Sequence, residues 1–153
     1  MVVVLTAVID RDLGYNRIMR DLQKLYGMEV VAGMLRDSGK ASNGASYVDI
    51  ATWNEYGTGH IPSRPFIRIS ADTNKAAWAK LAQQCVNGVI DGDNPRDAAQ
   101  VVGHRMVEDI REVFGDTSKL KANAPSTVKK KGRNEPLVDS GEMRRRVNFR
   151  VEG

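Results

Sequence analysis

The chain has 153 residues, 41% hydrophobic and 27% charged, a balance that suits one conventional core and excludes wholesale disorder. Its longest apolar run, Val2 to Ile9, falls well short of the roughly 20 residues that cross a bilayer and has no basic segment ahead of it, so neither a membrane span nor a secretory leader is expected. A single cysteine, Cys85, excludes an internal disulfide and falls on a helical apolar stripe as a small buried hydrophobe.

Taken in chain order, Val2 to Ile9 is rich in β-branched residues and predicts a first strand buried on both faces. Asp12-Leu13-Gly14 is turn chemistry, after which Tyr15, Ile18, Leu22 and Leu25 recur at helical spacing. Gly27 is placed to end that helix in a left-handed cap. Met28 to Leu35 is β-like again, with Gly33 marking a bulge. Arg36 to Ala45 is a polar loop expected to be mobile in the free chain. Ser46 caps a short helix with Asp49 as its partner, and Gly57 stops it. Ile61-Pro62-Ser63-Arg64-Pro65 must be extended, because each proline drives the preceding residue out of the helical region. Phe66 to Ile69 alternates as a short strand.

Asn74, Ala77, Trp78, Leu81, Cys85 and Val89 then trace a long amphipathic helix that breaks at Asp91-Gly92-Asp93. Asn94 is a good N-cap with Pro95 at the first helical position, and Ala99, Val102, Met106, Ile110 and Val113 form the stripe of a second helix, antiparallel to the first. From Asp116 to Gly141 no periodicity persists, and Pro125, Gly132 and Pro136 punctuate what reads as a long irregular basic loop. Val147, Phe149 and Val151 alternate as a closing strand. The expected fold is one domain over residues 1–153, α+β or mixed α/β, with extended loops at 36–45 and 116–141. Its small sheet of about four strands packs against two long helices and one or two short ones.

Charge is unevenly placed. The net charge of +4 conceals a tail from Thr117 to Gly153 with ten Lys and Arg against four Asp and Glu, or +6, which leaves −2 for the rest. Such segregation points to a polyanion or an acidic neighbouring subunit.

Two phrases carry the most information. Asn54-Glu55-Tyr56-Gly57-Thr58 runs into Ile61-Pro62-Ser63-Arg64-Pro65-Phe66, and Lys129-Lys130-Lys131-Gly132 runs on to Pro136-Leu137-Val138-Asp139-Ser140-Gly141. Neither is a phosphate loop, dinucleotide turn, zinc motif or nucleophile elbow. Over roughly Met28 to Val151 the pair resembles the neck and tail-completion, or head–tail joining, proteins of tailed double-stranded DNA bacteriophages. That resemblance implies a virion tail component with a structural role and no enzymatic one, assembled in the host cytoplasm. It implies a homo-oligomeric ring, a hexamer or a dodecamer, between head connector or adaptor proteins and the tail tube or tail terminator, around packaged DNA. No cofactor, metal or membrane partner is implied. A tail terminator capping the tube is the near variant, and a stand-alone nonspecific DNA-binding module is the alternative from another class.

Within this reading Asn54, Glu55, Tyr56, Gly57, Pro62, Arg64, Pro65 and Phe66 form a subunit interface. Arg64, stiffened between two prolines, is aimed at a carboxylate or phosphate with Glu55 as the obvious partner, or else makes only a surface ion pair of small value. Lys129, Lys130, Lys131 and Arg133, with Arg144, Arg145 and Arg146, face DNA or an adjacent ring, and the sequence does not separate the two. If the last strand starts early, Arg145 points away from Arg144 and Arg146. Pro136, Leu137 and Val138 dock the loop on the core, Gly141 gives the turn, and Asp139 braces it through backbone N–H groups. A metal nuclease built on His60 or His104 with Asp49, Glu55, Glu108 or Asp109 is disfavoured, because no second histidine stands at ligand spacing.

Overall fold

A helical hairpin is the spine of the molecule, whose computed structural model describes residues 11–153. The strand expected over Val2 to Ile9 lies outside the described residues. Helix α3 spans Phe66–Asp91 and helix α4 spans Pro95–Val113. The chain reverses between them at Gly92, whose φ of 126° is open to glycine. Asn94 then caps α4, its side-chain oxygen accepting from the N–H groups of Arg96 and Asp97. Ala99, Gly103, Val107, Ile110 and Val113 of α4 are buried at helical spacing and α3 packs along this helix; of the stripe expected from the sequence, Ala99, Ile110 and Val113 are buried and Val102 and Met106 half-buried.

The same helix also carries the sheet. Strand β1, Glu29–Gly33, pairs antiparallel with β2, Asn148–Glu152, with Val30 opposite Val151 and Ala32 opposite Phe149. Pairing steps residue for residue, so Gly33 ends the strand at φ 146° and marks no bulge. Gly103 is what lets α4 approach this closely, because a Cβ there would overlap the Phe149 ring. Helix α1, Tyr15–Tyr26, lies along α3 and α4. Its Arg17 guanidinium donates to the carbonyls of Val89 and Ile90 in the last turn of α3, a favoured place for a cation because helix-end carbonyls lack partners. Gly27 ends α1 as expected, but in a right-handed conformation with φ −79°.

The polar loop over 36–45 has structure of its own. Arg36–Ser38 form a 3-10 turn, and Ala41 N–H donates to Ala45 C=O beside a bridge between Lys40 and Ser46. Helix α2, Tyr47–Tyr56, begins at Ser46, whose hydroxyl oxygen accepts from Asp49 N–H at 3.0 Å.

Three further expectations are corrected. Phe66 to Ile69 is the first turn of α3 rather than a strand. The stretch 116–141 contains a helix, α5, Pro125–Lys131, in which Pro125 starts the helix instead of breaking the chain. Arg144, Arg145 and Arg146 lie in α6, Glu142–Arg146, opened by Gly141 at φ 77°, so the alternation expected of a strand does not apply to them. The class is α+β, mostly helical, with six helices and a two-stranded antiparallel sheet among the described residues in place of the larger sheet expected. The core gathers around Phe66 and Phe114, which meet edge to face at 4.8 Å. Ile110, Val113, Leu120, Met143 and Val147 complete it.

Candidate interaction site

The two phrases singled out in the sequence meet in space. In the first, Glu55 on the last turn of α2 is buried, and its carboxylate accepts from Ile67 N–H at 3.1 Å and from Arg68 N–H at 3.0 Å. Pro65 supplies no side-chain cap to α3, so a carboxylate from a neighbouring helix satisfies those unpaired donors at the positive end of the helix. That is why Phe66 to Ile69 is helical despite its alternating pattern. Ser63 hydroxyl donates to the Glu55 carbonyl at 2.9 Å, and Arg64 N–H donates to the Asn54 carbonyl at 2.6 Å. Gly57, at φ 79°, sits against Ser63 and Ile61 backbone atoms where a Cβ would come within 3.0 Å. The phrase folds back on itself as a rigid elbow.

Arg64 does not pair with Glu55. Its Nε donates to the Lys121 carbonyl at 2.7 Å and its Nη2 to the Ala122 carbonyl at 3.1 Å. Partial burial pulls its pKa down from the ordinary value, yet a guanidinium stays cationic at neutral pH. The elbow therefore clasps the start of the basic stretch. Of the eight residues expected at a subunit interface, Tyr56 is the exposed one, at 72%, with the Arg68 guanidinium 5.6 Å from its ring centre.

In the second phrase Pro136 is fully buried and Leu137 and Val138 pack against the core, as expected. Leu137 holds φ 64°, a left-handed conformation that is uncommon for a leucine. Asp139 contributes its carbonyl, which accepts from Arg133 at 2.7 Å. Among the described residues its carboxylate does not make the backbone brace expected of it.

The basic residues divide into two groups. Lys131 ammonium donates to the Val138 carbonyl at 2.7 Å, and Arg133 pairs with Glu135 at 3.0 Å as well as with Asp139. Arg145 and Arg146 both reach Glu142, and Arg146 also lies over the Tyr47 ring. The hydrogen bond from Arg146, and then its charge, hold the Glu142 carboxyl below the usual glutamate range. Lys121, Lys129, Lys130 and Arg144 are exposed, and among the described residues none of them has an ion-pair partner.

Between the phrases lies an open cleft of about 490 Å³ whose walls include Asn54 and Arg64 from the first and Lys131, Leu137, Asp139 and Gly141 from the second. Asn123 also lines it, its N–H donating to Asn134 Oδ1 at 3.0 Å.

His104 packs edge-on against Phe149 at 4.6 Å, which gives it a packing role. No group of three His, Cys, Asp or Glu side chains comes together to hold a metal among the described residues, and no described helix is long and apolar enough to cross a membrane. Cys85 is half-buried, less enclosed than expected; burial and then the nearby Asp93 charge push its thiol up. Sequence reasoning weighed Asp109 only as a ligand. Its buried carboxylate instead accepts from Trp78 Nε1 at 2.6 Å and pairs with Arg105 at 2.9 Å, and the Arg105/Asp109 spacing of one helical turn was the available signal. Lys121 was also passed over, though 119–133 holds six Lys and Arg and no Asp or Glu. Comparison with family models, with curated protein sequences and with solved structures finds no match to this chain.

Proposed function

We propose that the chain is a structural subunit of the head–tail neck of a tailed bacteriophage. It closes into a ring between the head connector and the tail tube and completes the tail. The observation that carries this reading is the meeting of the two phrases on which the resemblance rests. Separated by more than sixty residues in the sequence, they line one cleft, and Arg64 ties the first phrase to the Lys121 and Ala122 carbonyls in the stretch that leads into the second. A rigid elbow of this kind suits a part whose work is geometric, because its connectors are fixed before any neighbour arrives. In the ring, the Asn54–Phe66 elbow meets the adjacent copy through exposed Tyr56. Capping the tail tube as a terminator uses the same parts at the next position along the tail.

Peptide mapping of purified particles tests the reading. Copies in a fixed ratio to the connector are expected, together with rings when the chain is mixed with connector proteins. Absence from mature particles and from every assembly intermediate overturns it.

A further inference from the structure

We infer that Lys121, Lys129 and Lys130 form a contact surface for the sugar–phosphate backbone of double-stranded DNA. The inference deepens the neck reading by choosing nucleic acid over an acidic neighbour for the cationic face, and it relies on that reading only for where the DNA lies.

Charge is the first argument. Residues 119–133 carry six Lys and Arg without one Asp or Glu, so that stretch repels itself unless a polyanion is near. The structure then sorts these cations. Lys119, Lys131 and Arg133 are occupied by Asp116, by the Val138 carbonyl and by Glu135. Lys121, Lys129 and Lys130 remain exposed and are not ion-paired among the described residues. Lys129 and Lys130 sit on the last turn of α5, and Lys121 lines a depression on that helix's flank together with Thr127.

The second argument is what surrounds Lys130. A depression of about 490 Å³ against α5 is walled by Ser126, Thr127, Lys130, Lys131 and Asp139, with no apolar side chain as large as valine. Protein interfaces centre on aromatic or aliphatic anchors and are depleted in lysine, whereas phosphate backbones are gripped by lysines and by hydroxyl and amide donors. Hydroxyls of Ser126 and Thr127 beside Lys130 fit the second description.

The third is rigidity. Arg64 pins the Lys121 and Ala122 carbonyls, and Asn123 N–H is bonded to Asn134 Oδ1 across the base of the loop. The backbone that carries Lys121 is therefore held in place before DNA arrives, which lowers the ordering cost of binding.

The test titrates the purified full chain with a duplex of arbitrary sequence at several salt concentrations. Three neutralised phosphates give a slope of log K against log salt near −2.7, so affinity drops roughly forty-fold between 50 and 200 mM salt. The K121Q/K129Q/K130Q variant, whose side chains are all at the surface, is expected to fold normally by circular dichroism and to lose that slope. Arg144→Gln, a surface cation outside the proposed set, is expected to retain it. Three results overturn the inference: no duplex binding at 50 mM salt, a slope unchanged in the triple variant, or poly-glutamate bound as tightly as duplex, which assigns the face to an acidic protein. Each leaves the neck reading intact, and absence of the chain from phage particles leaves this one intact.

Discussion

The α3–α4 hairpin and the stretch from Leu120 to Gly141 are held by different physics. In the hairpin, Phe66, Val107, Ile110 and Val113 are buried against one another, each side chain contributing about 1.5–3 kcal/mol of transfer free energy. Helix α5 has no buried residue. Its stretch is anchored by Leu120 and Pro136, which are buried, and otherwise by scattered hydrogen bonds: two from Arg64 and one each from Lys131, Arg133 and Asn123. A packed region fails all at once, whereas a tethered one can be loosened one bond at a time.

The largest effect expected is from Phe66→Ala, which empties the centre of the core and should cost about 4 kcal/mol. Chemical denaturation should show one cooperative transition at a much lower midpoint. Glu55→Ala should come next, at about 2 kcal/mol, because it strips the cap from α3 and leaves Ile67 and Arg68 N–H groups without their acceptor. Arg64→Ala should be smaller, about 1 kcal/mol, and confined to the tethered side. Hydrogen exchange should accelerate over residues 119–134 while α4 keeps its protection; equal loss in α4 would erase the distinction between the regions. Smallest is a pH effect at α6. The folded carboxyl of Glu142 titrates below its ordinary value, so its contribution is complete above that value and disappears as pH falls through the folded one. Amide exchange in α6 at equal intrinsic rate should therefore rise in acid, and Glu142→Gln should abolish the pH dependence.

Helix caps and strand alternation were the legible features. Asn94-Pro95, Ser46 with Asp49, and the Val147/Phe149/Val151 alternation are local signals, each read from a few consecutive residues and each present in the fold. The misreadings share a cause. Phe66 to Ile69 has a period of two over four residues, but the cap that makes it helical comes from Glu55, eleven positions earlier than Phe66. Pro125 looks like a break until Ala124 is seen in extended backbone ahead of it, which makes the proline a helix start. The partner of Arg64 was unreadable for a simpler reason. Backbone carbonyls have no letter in the sequence, so a guanidinium that binds two of them leaves no complementary residue to find.

The Arg64 clasp leaves the chain free to change beside it. Because the guanidinium grips main-chain oxygens at positions 121 and 122, their side chains can drift without loosening the grip. Lys121 could become glutamine or glutamate and still be presented from the same spot. The fold thereby carries an adjustable charge on a fixed mount: the number of positive groups can change while the backbone that presents them stays as it is.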